Sequence, residues 1–286
     1  MNRGELIAEL ATMLDARHEA RFIVEDVVGT GPISSTDPID ADQLAAARAM
    51  AERRRGGEPL QYILGHWSFR QLDLTVDQRV LIPRPETEQV VDMALAELRR
   101  LDTSAPVLVD LGTGSGAIAL SLAQELAASI PEGHVWAVDA SLDALDVARA
   151  NLERLRQQPM LEVTMVEGHW LTALPLALKG SVDLVVANPP YVADEEWAHL
   201  PAEVQVEPRW ALVADTGSEG TPGLADVEAI LEQSLHWLSR PGTVVIELAP
   251  QQAEAAARLA EGLGYTEVEV APDLTGRLRA LIGRVS

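Results

Sequence analysis

The chain has no cysteine among its 286 residues. Disulfides and thiolate metal sites are thereby excluded, and a reducing compartment is permitted. Lysine is nearly absent too, with Lys179 the single example, and 22 basic residues face 44 acidic ones for a formal net charge of -22. Such a chain repels phosphate backbones unless its arginines are concentrated locally. The one local cluster, Arg53-Arg54-Arg55, follows the helical run Ala41 to Glu52 and reads as the solvated end of that helix. No apolar run approaches the roughly 18 residues of a membrane span. The start, Met1-Asn2-Arg3-Gly4-Glu5, leads into an amphipathic segment rather than the apolar region of a signal peptide. The six histidines are scattered without zinc-ligand spacing, so no metal site is expected.

What is present is ordinary core material, 47% hydrophobic residues, enough for one large domain or two modest ones. Residues 5 to 28 carry apolar positions at helical spacing: Leu6, Ile7, Leu10, Leu14, Phe22, Ile23 and Val27. A turn-rich stretch runs from Gly29 through Pro38, and Asp40 then caps a helix expected to reach Arg55. Phe69, Leu72, Leu74, Val76, Val80 and Ile82 are spaced for a hairpin of short strands. Pro83-Arg84-Pro85 precedes a helix expected from Glu86 to Arg100. Beyond Pro106 strands and helices alternate. Strands are expected at 107–110, 135–139, 161–166, 182–187 and 243–248, with helices at 116–128, 142–155, 224–238 and 251–263. Alternation of this kind implies parallel strands joined by crossovers, a doubly wound α/β sheet, with ligands bound beyond the carboxyl ends of the strands.

Three motifs fall at those strand ends. The first is Asp110-Leu111-Gly112-Thr113-Gly114-Ser115-Gly116, between a strand and a helix. Glycines there permit a tight turn and close approach of backbone to a ligand. The spacing is not the Gly-x-Gly-x-x-Gly of a dinucleotide site. The second is Asp139, whose carboxylate can accept hydrogen bonds from both hydroxyls of a ribose, or alternatively cap the helix that starts after Ser141. The third is Asn188-Pro189-Pro190-Tyr191, directly after the apolar strand Val182 to Ala187. Two prolines stiffen the backbone and remove two amide donors, leaving carbonyl oxygens to face a ligand. The Asn188 side-chain oxygen and the Pro189 carbonyl can together accept both hydrogens of a planar NH2 group, with Tyr191 packed beside it. An amide nitrogen is a poor nucleophile, and two placed acceptors stabilise the positive charge that develops as it is alkylated.

In this order, the three motifs resemble the class I S-adenosylmethionine-dependent methyltransferases of exocyclic and amide nitrogens. Four further segments narrow the match: Pro59 to Gly65, Leu81 to Glu88, Glu207-Pro208 with Ala211-Leu212, and Asp273 to Gly276 near Arg279. With them the chain resembles, over nearly its whole length, the peptide chain release factor N5-glutamine methyltransferases. The resemblance implies a Rossmann-like methyltransferase sheet at residues 85–286, a helical substrate-recognition domain at 1–65 and a β-hairpin linker at 66–84. It implies S-adenosyl-L-methionine as cofactor, held by Gly112, Thr113, Gly114, Ser115, Gly116, Asp139, Trp170 and Asn188. Trp170 would pack near the adenine, although core packing explains it equally well, and either Glu167 or His169 would meet the adenine amino group. The glutamine would lie on Asn188, Pro189, Pro190 and Tyr191, with Asn188, Pro189 and Tyr191 carrying the chemistry. Arg84, Glu86 and Thr87 either shape the entrance to the site or stiffen a hinge. The implied substrate is the Gly-Gly-Gln loop of class 1 release factors, in the cytoplasm, with neither membrane nor nucleic acid as partner. A nucleic-acid exocyclic-amine methyltransferase is the rival reading, weakened by the acidic charge balance.

Overall fold

The computed structural model describes every residue except 32–37, 131 and 219. Most of the turn expected between Gly29 and Pro38 therefore lies outside the described residues. The chain divides into two compact units, Met1–Trp67 with Pro201–Val206, and Ser68–Leu200 with Glu207–Ser286.

The first unit is helical: α1 (Arg3–Leu14), α2 (Arg17–Val28), α3 (Ala41–Arg55) and α4 (Leu60–Leu64). The helical spacing read over residues 5 to 28 belongs to two helices, α1 and α2. Asp15 adopts a left-handed conformation (φ 51°) and ends α1, a geometry that Asp tolerates better than most residues. Asp40 caps α3 as expected, its carboxylate accepting from Gln43 N at 2.8 Å. Leu6, Ile7, Leu10, Ile23, Val24, Ala47 and Ala51 form the core of this unit. The arginine cluster at the end of α3 is neutralised by carboxylates. Arg53 pairs with Glu58, Arg54 with Glu19 and Glu203, and Arg55 with Glu52.

The hairpin is shorter than expected, β1 (His66–Phe69) and β2 (Leu72–Thr75). Val76, Val80 and Ile82 are buried, but as side chains of a turn and loop in which Val80 N donates to Asp77 O. The second unit continues with α5 (Pro85–Leu101), β3 (Val107–Leu111), α6 (Ala117–Leu126), β4 (His134–Asp139), α7 (Leu142–Leu155), β5 (Glu162–Glu167), β6 (Val182–Ala187), the single turn α8 (Asp194–Trp197), α9 (Ala225–Trp237), β7 (Leu238–Glu247), α10 (Ala253–Leu263), β8 (Glu267–Pro272) and β9 (Leu278–Val285).

Seven strands form one sheet in the order β5-β4-β3-β6-β7-β9-β8. The first five are parallel as expected. The sheet is not wholly parallel, because β9 runs antiparallel to both β7 and β8. Side chains alternate between two cores, as strand geometry requires. Leu108, Leu184, Val186 and Val245 pack with α5 and α6. Val109, Leu111, Val185, Val244 and Ile246 pack with α9 and α10 on the opposite face. The chain leaves β3 toward β4 and β5, then returns to place β6 on the other side of β3. That reversal is the switch point at which such sheets bind ligands.

Candidate active site

The glycine loop leaves β3 and the Asn-Pro-Pro-Tyr segment leaves β6, so both strands flanking the switch point deliver a motif to the same place. The loop is tied back to β4 by Gly112 N and Thr113 N, which donate to Val138 O at 2.8 and 2.9 Å. Its three glycines hold φ values of +72°, +56° and +86°, the left-handed region where side chains are strained. Asp110 lies fully buried beneath the loop. One carboxylate oxygen accepts from Thr113 Oγ1 (2.7 Å) and Ala119 N (3.0 Å), while the other has no partner. Burial pushes its carboxyl up to about 7, against the pull of those hydrogen bonds.

A cavity of about 380 Å³ opens in front of the loop. Its walls include Gly112, Gly114, Asp139, Trp170, Asn188 and Asp226. Asp139 stands at the end of β4 with each oxygen accepting one backbone N–H, from Gly114 at 2.8 Å and from Ser141 at 2.9 Å. A carboxylate has about four acceptor sites, so Asp139 can take further donors such as a pair of hydroxyls. Burial raises its pKa. The Asp139 carboxylate does not cap α7 at Ala144, because Ser141 Oγ accepts from Ala144 N instead.

Trp170 has a left-handed backbone (φ 47°) and packs against the α9 side of the sheet. Its ring also lies 3.7 Å from where a Gly112 Cβ would stand, so it is core and cavity wall at once. Asp226, at the start of α9, lines the same cavity, and burial raises its carboxyl pKa. His169 lines the cavity, whereas Glu167 is exposed and is not part of the wall.

Asn188 reaches the cavity, and so does Pro190. The Asn188 Nδ2 donates to Thr87 Oγ1 at 3.1 Å, and its Oδ1 is buried without a partner. A buried acceptor of this kind costs about 1–3 kcal/mol unless a ligand satisfies it. Pro189, Tyr191, Thr113, Ser115 and Gly116 stand behind the wall rather than in it. Tyr191 is held by main-chain bonds from its own N to Leu212 O (3.1 Å) and from Gln252 Nε2 to its carbonyl (3.0 Å). Burial pushes its hydroxyl up to about 12.

The segment Leu81 to Glu88 divides between two roles. Arg84 pairs with the buried Glu207, which also accepts from Ile82 N at 3.0 Å. Thr87 is buried and donates from Oγ1 to Glu247 Oε2 at 2.7 Å. Glu247 was not among the residues expected here. A signal for it existed: it interrupts the apolar run Val244 to Leu248 at the carboxyl end of a parallel strand. Asp226 gave no such signal, since an acidic residue in the first turn of a helix is commonplace.

Two family models match the chain, the PrmC N-terminal domain over residues 5–65 and the Methyltransferase small domain over residues 89–207. The release factor glutamine methyltransferase of Streptomyces coelicolor is 42% identical over 248 residues, covering 86% of this chain and 82% of its own. The chain belongs to the release factor glutamine methyltransferase family. The Escherichia coli member is 35% identical over 286 residues, covering 98% of this chain and 96% of its own. In fold, the chain also resembles the crystal structure of a methyltransferase from Pyrococcus furiosus. That likeness has a TM-score of 0.50 at 17% identity and covers 86% of this chain and 98% of the other. It shows shared architecture alone.

Proposed function

We propose that this protein transfers a methyl group from S-adenosyl-L-methionine to N5 of the glutamine in the Gly-Gly-Gln motif of class 1 peptide chain release factors. The observation that carries the reading is the buried, unpartnered Oδ1 of Asn188 at the cavity wall. It is an acceptor waiting for a donor, and a carboxamide NH2 is such a donor.

The residues present fit the cofactor. Gly112 and Gly114 offer close-approach backbone, Asp139 has lone pairs left for ribose hydroxyls, and Trp170 offers an apolar ring for the adenine, with His169 rather than Glu167 beside it. Thr113, Ser115 and Gly116 hold the shape of the loop behind it. When bound, S-adenosylmethionine supplies a methyl group on a positively charged sulfur, a leaving group that needs no protonation.

The work left to the chain is orientation and charge. Asn188 Oδ1 accepts an N–H of the glutamine amide and Pro190 lines the slot beside it, while Pro189 and Tyr191 brace both from behind the wall. Positive charge that builds on the nitrogen is met by Asn188 Oδ1, which costs no reorganisation because the prolines and Thr87 already hold Asn188. Holding the nitrogen in line with the methyl carbon supplies much of the remaining acceleration. No general base at the nitrogen is needed, since an alkylated amide cation loses its proton to water readily.

We place the activity in the cytoplasm and assign no nucleic-acid or membrane partner. Among the described residues no helix is long and apolar enough to cross a membrane. The arginine cluster is occupied by carboxylates, which leaves little for counterion release on a polyanion. The test incubates the protein and cofactor with purified release factor, ribosomal RNA and duplex DNA in parallel, with mass spectrometry of each. A 14 Da gain on the release factor glutamine is expected, the mass of one methylene. Methylation of either nucleic acid, with none on the glutamine, overturns the assignment.

A further inference from the structure

We infer that Thr87 and Glu247 are positioning residues that fix which way round the Asn188 carboxamide sits, so that its oxygen rather than its NH2 faces the acceptor. This rests on the assignment of Asn188 to the glutamine amide. The problem they solve is general. An asparagine amide is nearly symmetric in shape, and a half-turn about its last bond exchanges an acceptor for two donors. Against a substrate NH2, the flipped form would set donor against donor.

The sheet places the solution. Glu247 ends β7 and, two residues after Val245, points to the face covered by α5. Thr87 lies in the first turn of α5 and meets it, with Thr87 Oγ1 donating to Glu247 Oε2 at 2.7 Å. A threonine hydroxyl has one proton. Once that proton is committed to Glu247, Thr87 can only accept from its other neighbour. The atom of Asn188 facing it must then be a donor, and Nδ2 is found there at 3.1 Å. The reverse orientation would leave two oxygens in contact with no proton between them. Thr87 and Glu247 are shielded from water, 4% and 1% exposed, so solvent has little access to the hydroxyl whose proton would be missing.

Protonation of Glu247 removes the constraint, because a carboxylic acid can donate to Thr87 and free the hydroxyl proton for Asn188. The charged and titratable groups around Glu247 are Arg279 on β9, Arg84 and Glu86 at the start of α5, and the Tyr191 hydroxyl beyond β6.

The experiment compares wild type, Thr87→Val, Thr87→Ser and Glu247→Gln with S-adenosylmethionine and purified release factor, measuring kcat and KM against pH. It also records the 15N resonances of the Asn188 side chain in the protein alone. Thr87→Val, matched in shape but without the hydroxyl, should lower kcat by roughly ten- to a hundredfold with cofactor affinity retained. Thr87→Ser should restore most of the rate. Wild-type kcat should rise with pH as Glu247 ionises, and Glu247→Gln should flatten that rise. The Asn188 NH2 resonances should shift and exchange faster in Thr87→Val. Full kcat in folded Thr87→Val, or no recovery in Thr87→Ser, overturns the inference, as does an unchanged Asn188 spectrum. Should wild type leave the glutamine unmethylated, the assignment of function falls, and the spectra still decide the orientation.

Discussion

Asn188 and Thr87, 101 positions apart in sequence, are joined by a hydrogen bond of 3.1 Å that leaves the Asn188 oxygen unpartnered at the cavity wall. The bond connects a strand end to the first turn of a helix that covers the same sheet. Because Asn188 spends its donor inside the protein, what it shows the cavity is an acceptor. The chemistry proposed for the site depends on this polarity.

Replacing Asn188 by Ala should therefore separate catalysis from cofactor binding. Loss of one oriented acceptor is expected to lower turnover on the order of a hundredfold or more. Cofactor affinity should change little, since Gly112, Gly114, Asp139 and Trp170 remain. Turnover assays beside calorimetric titration with S-adenosylmethionine check both halves, and near-wild-type turnover in a folded variant would remove the proposed mechanism.

Asp139 predicts the opposite pattern. Its substitution by Ala removes charge-assisted bonds worth roughly 1.5–3 kcal/mol, which is about ten- to a hundredfold in affinity. It also frees Gly114 N from its tether at 2.8 Å, loosening the loop. The effect should appear mainly in the dissociation constant of S-adenosylmethionine. An unchanged constant would leave Asp139 with only the job of bracing Gly114 and Ser141.

Gly223 tests how Tyr191 is held. Its φ is +68°, and a Cβ there would stand 2.3 Å from the Tyr191 carbonyl oxygen and 2.9 Å from Gln252 Nε2. Gln252 is the clamp, donating to both Tyr191 O and Pro222 O at 3.0 Å. Gly223→Ala should destabilise the fold by about 2 kcal/mol or more, through strain and overpacking together. Denaturant unfolding measures the loss. Turnover at temperatures where the variant stays folded should fall as well, because the displaced group is the backbone of Tyr191.

Much of this organisation was legible from residue patterns. The helix at 142–155 and the strand at 182–187 were expected at those bounds, because apolar periodicity there is uninterrupted and caps mark the ends. The glycine loop, Asp139 and Asn188 stand out in the sequence because each follows a strand that reads clearly, and the fold brings Gly112, Gly114, Asp139 and Asn188 to one cavity. The break at Asp15 was missed, since neither Gly nor Pro marks it. The antiparallel pair β8 and β9 was missed because β8 alternates weakly on a half-exposed edge, and charged Arg279 and Arg284 punctuate β9. The sequence leaves Thr87 between entrance and hinge because its partner Glu247 lies 160 residues away in the chain. Only the folded sheet brings the two together.

Glu247 and Asp110 carry the last prediction, which concerns stability against pH. Burial raises both carboxyls to about 7, from ordinary values of 4.5 and 3.8. Between those limits the folded chain holds protons that the unfolded chain has released. Stability from these two groups is thus fully present below the unfolded values, and it declines as pH rises toward 7. The cost arises because each ionised group sits in a dry interior with one oxygen unpartnered. Glu247→Gln removes the charge, keeps the size and retains an acceptor for Thr87. The variant should gain stability relative to wild type as pH climbs from about 4.5 to 7, by an amount on the order of a few kcal/mol, and the difference should level off above. Comparing wild type and variant cancels the surface ion pairs, such as Glu9 with Arg48, whose lowered carboxyl pKa bends the absolute curve the other way in acid. Denaturant unfolding of both proteins from pH 4 to 8 provides the measurement. A stability difference independent of pH would mean that Glu247 titrates at its ordinary value in the fold. Paired with reduced turnover, the expected gain would mark Glu247 as a residue held at a cost in stability for its place behind Asn188.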